Sequence, residues 1–418
     1  MIHLDLPAWV IYPTLFLFGS IIGSFLNVCI YRIPQKDGFW ESLQELWNRP
    51  SQCKRCRSHI RWQHNIPIFG WLMLGGRCAD CRAWISPRYP LIEFLNASLF
   101  VLVYWFEIGA GDVNALKDSC LYTQIGPEVI PGLGSMSPTM FAHLRYAFHM
   151  VLIEALLVAT FIDFDLWIIP DGVTLPAMVV GFVGNTLIGR VHLVPVWVEQ
   201  ASLFAGTPPD VPAWFSHWPH LHGFLVAAAG FVIGGGIVWT VRVLGHWALK
   251  QEAMGFGDVI LLAMIGSFVG WQASVIVFFL APVIAIVVVL ARLIFHRDRA
   301  IPYGPYLSIA TLVSLLFWAP VWDLSERVLS LGPLLIPLAL ISVALLASLL
   351  FVARLIRLAL GIMPIDDQEE LVWTAADQNF LYSGEKVDRF QGQWKTNHDW
   401  SGVAASRGTM GQERWRGR

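Results

Sequence analysis

Nine runs of apolar residues, most of them near the roughly 20 residues that a helix needs to cross a bilayer, constrain this chain more than any other feature. The runs lie at about 9–31, 90–107, 144–162, 172–189, 223–247, 258–271, 273–295, 306–321 and 333–356. Because backbone polar groups in lipid must be satisfied within their own segment, each run predicts a helix. The pair around Gly270 and Trp271 is short enough to be one broken or re-entrant element. The sequence therefore predicts an all-α polytopic membrane protein with about eight or nine transmembrane helices.

The composition agrees with a chain whose main partner is the lipid bilayer. The 418 residues are 56% apolar and 14% charged, whereas soluble domains are about one-quarter charged. Intrinsic disorder, collagen and coiled coils are excluded for the bulk of the chain by the same numbers. A formal net charge of −2 offers no global basic surface for phosphates, so nucleic acid is not expected as a partner. The first run has no basic segment before it and no small-residue cleavage site after it, which favours a retained anchor.

The distribution of Lys and Arg predicts the orientation, since short cytoplasmic loops hold an excess of them. Ten such residues separate the first two runs, whereas the loop from about 108 to 143 holds Lys117 alone. The segment at about 33–89 is therefore expected in the cytoplasm. The stretch 191–222 has no Lys or Arg and is expected on the other side. Lys250, Arg297 and Arg299 return the chain to the cytoplasmic side, which also places the polar tail 358–418 there, predicted to be disordered.

Four cysteines in the basic segment follow a metal-site spacing. Cys53 and Cys56 form one C-x2-C pair, Cys78 and Cys81 form another, and 21 residues separate the pairs, close to the zinc-ribbon spacing. Four thiolates satisfy a tetrahedral Zn²⁺ and leave no open position, so the expected site is structural, in a small zinc-ribbon-like domain. A metal-free or redox pair is the alternative. His59 and His64 are possible competing ligands, and Cys29 and Cys120 are expected to be plain thiols.

Carboxylates at the ends of two apolar runs are the candidate catalytic groups, because charged residues beside a span are costly. Asp163 and Asp165 end the third run, and Asp258 follows glycines in Met254-Gly255-Phe256-Gly257-Asp258. The orientation rule places both clusters on the same side of the membrane. Two facing carboxyls can share one proton, so that one acts as base toward water while the other polarises a carbonyl. This is the chemistry of aspartic proteases.

Other readings of these acidic residues are structural. Asp258 and Asp171 could each cap a helix start, which is the preferred reading for Asp171 after Pro170. Asp163 and Asp165 point to different helix faces, so at most one faces the site, and spacing alone does not choose between them. Glu154, inside the third run, is more often a bundle-interior residue than a proton partner.

The residues together resemble the type IV prepilin peptidases, which are membrane leader peptidases and N-methyltransferases. The likeness covers roughly residues 15–320. It is carried by Gly23-Ser24-Phe25-Leu26-Asn27-Val28, the cysteine segment through Asn65-Ile66-Pro67 and Arg88-Tyr89-Pro90, the stretch from Ile162-Asp163 to Pro170-Asp171, Gly255-Phe256-Gly257-Asp258 and Tyr303-Gly304-Pro305-Tyr306. The family pattern places an Asp eight residues before the Asp of Ile-Pro-Asp. The resemblance therefore implies Asp163, not Asp165, as the catalytic partner of Asp258.

Further expectations follow from the resemblance. It implies an N-terminal prepilin peptidase domain at 9–107, including the four-Cys loop, and a membrane aspartic peptidase domain at 144–321. The helix at 333–356 is then additional. The implied activity is removal of short basic leaders from prepilins or from pseudopilins of type II secretion, at the cytoplasmic face of the bacterial inner membrane. The new N-terminus would then be methylated with S-adenosylmethionine.

The chain departs from the family at one position beside the predicted site. Members usually have Lys two residues after the Gly-x-Gly-Asp aspartate, and this chain has Ile260. A catalytically impaired scaffold of the same family is therefore an alternative function. An ion-coupled transporter using Asp163, Glu154 and Asp258 is a weaker one, because the sequence shows no inverted repeat and the carboxylates cluster at one face.

Overall fold

The architecture comes from a computed structural model. The described residues are 7–35, 40, 44, 46, 51–53, 55–109, 138–198, 217–249, 254–294 and 302–359. Cys120, Lys117, Lys250, Arg297, Arg299, most of the 191–222 loop and the tail beyond residue 359 lie outside the described residues.

The described part of the chain is helical, with two isolated β-bridges in the cysteine segment in place of strands. Its α-helices are α1 Ala8–Arg32, α2 Phe69–Met73, α3 Arg88–Tyr104, α4 Pro138–Leu166, α5 Asp171–Ile188, α6 Pro219–Leu249, α7 Phe256–Val269, α8 Trp271–Ile294, α9 Gly304–Leu316, α10 Trp318–Leu329 and α11 Leu335–Ala359. Short 3₁₀ turns lie at Ile33–Gln35, Trp62–His64 and Gly332–Leu334, and a π-turn lies at Trp105–Gly109.

Within these residues, seven helices are long and apolar enough to cross a membrane, and α9 with α10 makes eight if the bent pair is one span. The prediction of an all-α membrane protein with about eight or nine spans is confirmed, and the upper count of eight is the lower of the two predicted numbers. The predicted run 258–271 corresponds to α7, which has the same length of 14 residues and begins two residues earlier. At 1.5 Å per residue α7 covers about 21 Å, less than the roughly 30 Å of hydrocarbon. Gly270, at φ +85°, separates α7 from α8.

The bend between α9 and α10 differs from the predicted single run 306–321. The two helix axes meet at 97° around Phe317. Helix α10 carries Asp323, Glu326 and Arg327 among apolar residues, and its buried side includes Trp318 and Trp322, stacked at 5.6 Å. Charged side chains on one face oppose burial in hydrocarbon, so the apolar run ends early and the chain turns.

The described residues fall into two compact units. The first, called the cysteine unit, comprises Tyr12–Phe100 and Phe161–Gly172. In it α1 and α3 pack closely: a Cβ at Gly23 would lie 2.8 Å from Cα of Glu93. Asn96 Nδ2 donates to the Gly19 carbonyl at 2.9 Å, and Asn27 Nδ2 donates to the Tyr89 carbonyl at 3.1 Å. Small residues allow the two backbones to approach, and amide side chains then join them.

The second unit, called the helical unit, includes the described parts of Val101–Thr160 and Val173–Pro364. Its tightest pair is α6 against α7, joined through glycines. A Cβ at Gly230 would overlap the Gly266 carbonyl, and a Cβ at Gly234 would lie 2.7 Å from the Leu262 carbonyl oxygen. Gly230 and Gly234 are one turn apart on α6, as Leu262 and Gly266 are on α7, so the helices run antiparallel with their backbones in contact. This packing fixes the helix that carries Asp258.

We expect Gly230→Ala to destabilise the protein by about 1–3 kcal/mol, because the added methyl forces α6 and α7 apart. Thermal unfolding of detergent-solubilised protein would report the loss as a lower midpoint. Gly236→Ala is the matched control on the same helix, since a Cβ at Gly236 meets nothing within 4 Å. An equal midpoint shift for both variants would contradict the assigned packing.

The described start of the 191–222 loop is packed rather than solvated. Val191, Leu193 and Val194 are buried. Side chains at the start of α8 hold the segment, because Trp271 Nε1 donates to the Val196 carbonyl and Gln272 Nε2 donates to the Pro195 carbonyl, both at 2.7 Å. The segment therefore closes one end of the helical unit.

Candidate functional site

Asp163 lies in the last turn of α4 and is buried, with 5% of its surface exposed. Its backbone carbonyl accepts a hydrogen bond from the Trp167 N–H at 3.0 Å. Trp167 has φ +63°, in the left-handed region that residues other than Gly and Asn rarely adopt. A helix that ends through such a residue turns sharply. The apolar run therefore stops just after the carboxylate, and the strained residue follows it.

Asp165, on the same helix end, has a different environment. Arg88 Nη1 donates to Asp165 Oδ1 at 2.8 Å and lies 2.7 Å from its Oδ2. Arg88 Nη2 also donates to the Phe161 carbonyl at 3.3 Å, and its guanidinium lies 5.2 Å from the centroid of the Phe161 ring. Arg88 is the first residue of α3. The ion pair thus ties the start of one helix to the end of another, which is a structural role for Asp165.

Asp171 is the first residue of α5 and is exposed. A carboxylate at a helix start interacts favourably with the helix dipole. Asp171 thus lies at a helix start, and its predicted role as an N-cap stays a prediction.

Asp258 is the third residue of α7 and is buried, with 8% of its surface exposed. Gly255 precedes the helix in an extended conformation, and its carbonyl accepts from the Asp258 N–H at 3.3 Å. A Cβ at Gly255 would lie 3.6 Å from Asp258 Oδ2. The glycine therefore leaves the space beside the carboxylate open for another backbone.

Two residues beside the start of α7 were not predicted from the spacing of motifs in the sequence. Burial, and then the charge of the nearby Asp258 carboxylate, raise the pKa of Tyr303 to about 12. Arg242 of α6 places its guanidinium 5.7 Å from the centroid of the Phe256 ring, at the start of α7. The only sequence signal for Tyr303 was its place before Gly304-Pro305, and none pointed to Arg242.

The four cysteine thiols come together as their spacing predicts. The Sγ atoms of Cys53, Cys56, Cys78 and Cys81 all lie within 4.8 Å of one another, with no histidine in the group. Cys53 and Cys81 are 3.7 Å apart at Sγ, and Cys56 and Cys78 are 4.0 Å apart. Four sulfurs at 2.3 Å from one tetrahedral Zn²⁺ would be about 3.8 Å from each other. The arrangement fits such an ion.

The two C-x2-C turns have the same backbone conformation and the same backbone hydrogen bond. Arg57 donates its N–H to the Cys53 carbonyl, and Arg82 donates its N–H to the Cys78 carbonyl. Both arginines have positive φ, +58° and +57°. The repeated left-handed residue closes each turn and directs both of its thiols to one point. The Ser58 hydroxyl, 3.0 Å from Cys56 Sγ, and the Ser58 backbone lower the pKa of Cys56 to about 6, which favours the thiolate that binds a metal.

A buried hydrogen bond between two side chains of the helical unit was also missed. His149 Nδ1 lies 2.7 Å from Glu107 Oε1, and each side chain is only 1% exposed. Glu154, on the same helix as His149, was the acidic residue expected inside the bundle, and it is partly buried. Glu107 lies in the π-turn after α3, where the sequence gives no sign that it faces α4. Cys29 is buried in α1, as expected of a plain thiol.

Comparisons with known proteins match both halves of the chain. Residues 17–106 match the family described as the Bacterial Peptidase A24 N-terminal domain. Residues 211–290, which include Asp258, match the Type IV leader peptidase family.

Several curated relatives carry the name prepilin leader peptidase/N-methyltransferase. The protein from Aeromonas salmonicida (strain A449) is 30% identical over 330 residues, covering 74% of this chain and 91% of that protein. The Pseudomonas putida protein is 30% identical over 317 residues, covering 72% and 88%. The Klebsiella pneumoniae protein is 32% identical over 259 residues, covering 62% and 85%. No solved structure matches the chain.

Proposed function

Since the chain belongs to the prepilin leader peptidase/N-methyltransferase family, we propose that it is a membrane aspartic endopeptidase in which Asp163 and Asp258 form the catalytic dyad. The observation that carries the assignment is the ion pair of Asp165 with Arg88. It gives one carboxylate of the first cluster a structural role, and Asp163 is the one that lies buried at the helix end. Asp258 is the buried carboxylate of the second cluster.

The proposed reaction adds water across one peptide bond. One carboxylate takes a proton from water as the water oxygen attacks the carbonyl carbon, and the protonated partner gives its proton to the carbonyl oxygen. The tetrahedral diol then collapses, the C–N bond breaks, and the dyad protonates the leaving nitrogen. Each carboxylate is buried, which supports this scheme, because two like charges that face each other in a dry site would favour sharing one proton.

The substrates we propose are prepilins or type II secretion pseudopilins, cut at the cytoplasmic face of the bacterial inner membrane. The excess of Arg in the cysteine segment supports this orientation. The new N-terminal amine would then attack the methyl carbon of S-adenosylmethionine, so that an N–C bond forms, the S–C bond breaks and the nitrogen loses a proton. The names of the relatives support this second activity.

We also propose that Cys53, Cys56, Cys78 and Cys81 hold one structural Zn²⁺. The ion would cross-link two turns of a loop with little apolar core. Four thiolates leave no open position, so the ion takes no part in peptide hydrolysis. The separation of the thiols and the repeated turn geometry support this assignment.

Co-expression with a prepilin tests the peptidase proposal. A smaller mature pilin band should appear with this chain and not with an empty vector. A catalytically impaired scaffold is the second candidate, favoured by Ile260 in place of the usual Lys. That candidate is supported instead if the prepilin keeps its full length while this chain accumulates in the membrane.

The residue before the cut in the substrate is expected to be decisive. A helical peptide bond cannot be cleaved, so the leader must join the pilin helix through an extended residue, and Gly disfavours helix by about 1 kcal/mol. Changing that Gly to a bulky residue should block cleavage without blocking membrane insertion, as seen by band shift and membrane fractionation. Trimming the extracytoplasmic part of the substrate is the control and should matter little. Efficient cleavage of a processing site on the extracytoplasmic side would contradict the proposed orientation.

A further inference from the structure

Helix α2 in the cysteine unit presents an apolar face to its surroundings. Phe69, Leu72 and Met73 are 55%, 58% and 70% exposed. Their spacing of three and four residues puts them on one side of the helix. The opposite side carries Trp71, whose Nε1 donates to the Ile85 carbonyl at 3.0 Å within the cysteine segment. The helix therefore has one side bound to its own loop and an apolar side that no described residue covers.

The depth of this helix along its neighbours indicates what it meets. The Ile68 N–H, directly before α2, donates to Glu93 Oε2 at 2.6 Å. Glu93 is five residues into α3, which is about 7.5 Å from the start of that helix. Gly23, which touches Glu93, is nine residues before the end of α1. The start of α2 therefore lies beside α1 and α3, more than one helical turn inward from the ends of both helices. Both helices are long and apolar enough to cross a membrane, so the start of α2 lies at the depth of membrane-spanning segments.

Two further exposed apolar residues precede the helix. Trp62 is 81% exposed and Ile66 is 41% exposed. The Trp62–His64 turn packs against α2, because a Cβ at Gly70 would overlap the His64 carbonyl. Trp is enriched at the membrane–water interface, where an apolar ring with one polar N–H fits the headgroup level.

The charged and apolar residues around α2 also indicate a lipid surface. Arg61 and Arg77 are exposed on either side of the segment in the sequence, and arginines at this level attract anionic headgroups. The lipid-facing sides of α1 and α3 are also apolar and exposed, as at Ile21 and Leu91. Soluble proteins rarely expose large apolar patches, whereas five large apolar side chains of this loop are exposed within the twelve residues from Trp62 to Met73.

We propose that Trp62, Ile66, Phe69, Leu72 and Met73, named here the interfacial patch, insert into the headgroup–acyl boundary of the bilayer and dock the four-Cys loop on the membrane. The loop is then held at two kinds of contact, the Ile68–Glu93 hydrogen bond and the lipid. Docking of the loop does not depend on the chemistry at Asp163 and Asp258. An apolar helix of the substrate, or a second copy of this chain, is the competing occupant.

Photocrosslinking in the full-length protein tests the proposal. p-Benzoylphenylalanine is placed at Met73, and the protein is reconstituted in nanodiscs of phosphatidylethanolamine and phosphatidylglycerol, irradiated and weighed by intact mass spectrometry. Phospholipid adducts are expected at Met73. The same probe at Asp80, which is exposed in the second C-x2-C turn, is the matched control and should give no lipid adduct.

The outcomes separate the occupants. A mass of twice the chain at Met73 would assign the face to a second copy and overturn the proposal, as would lipid adducts no more abundant than at Asp80. With a purified prepilin added to the nanodiscs, its capture at Met73 without any phospholipid adduct would also overturn the proposal. If the Met73 variant does not fold, judged by its gel-filtration profile, the same probe at Phe69 replaces one aromatic ring with another and is expected to give the same lipid adduct.

Discussion

Asp163→Asn and Asp258→Asn are each expected to abolish leader cleavage while the protein still accumulates in the membrane. An amide keeps the shape of the carboxyl but can neither take a proton from water nor share one with its partner. Because general acid–base catalysis contributes about 10²–10⁴-fold, each variant should fall to the background of the co-expression assay. The double variant should be no worse than either single one, since the two groups act as a unit. Mature pilin is quantified by band density against membrane-fraction immunoblots.

Asp165→Asn is the matched control, two residues away on the same helix end. It removes the ion pair with Arg88, whose two side chains are 31% and 23% exposed. Ion pairs with this degree of exposure are worth up to about 1 kcal/mol, so folding and most of the activity should persist. If Asp165→Asn were inactive and Asp163→Asn active, the assignment within the cluster would be wrong.

Loss of the metal site is expected to have the second large effect. Purified full-length protein should contain about one Zn²⁺ per chain, with four sulfurs at roughly 2.3 Å by X-ray absorption. Cys53→Ser combined with Cys56→Ser removes half of the ligands and should release the ion. Because the loop depends on the metal in place of a core, limited proteolysis should then cut the segment between α1 and α3 faster than in the wild type.

Cys29→Ser controls for the loss of a thiol as such. Cys29 is buried in α1 and lies outside the four-Cys cluster. It should retain the ion and the wild-type digestion pattern. Elemental analysis that finds no zinc in protein that is still folded would refute the metal assignment.

The helices could be predicted from the sequence because the bilayer requires every span to satisfy its backbone polar groups within its own segment. A long apolar run must form a helix there, so all nine runs correspond to helical segments. Their breaks could be predicted only in part. The short run before Gly270 and the break at that residue were expected, and α7 has the predicted length of 14 residues. The turn of 97° at Phe317 was not expected, because it depends on the charged face of α10 and apolar composition alone does not show it.

The four-Cys cluster could also be predicted, since C-x2-C pairs fix the local geometry of their thiols. The roles of the acidic residues depended on contacts distant in sequence. Arg88 and Asp165 are 77 residues apart, and Glu107 and His149 are 42 apart. The spacing of residues along the sequence does not show which distant side chains come into contact. The resemblance to a known family was needed to choose Asp163, and the ion pair now gives Asp165 a separate physical role.

Cleavage by purified components tests the central proposal most directly, because it removes any peptidase of the expression host. Full-length protein in nanodiscs is mixed with a purified prepilin, and the products are identified by mass spectrometry. We expect a single cut that releases the short basic leader, seen with the wild type and with Asp165→Asn but not with Asp163→Asn or Asp258→Asn. An intact prepilin after incubation with folded wild-type protein would contradict it and favour the scaffold function that Ile260 suggests.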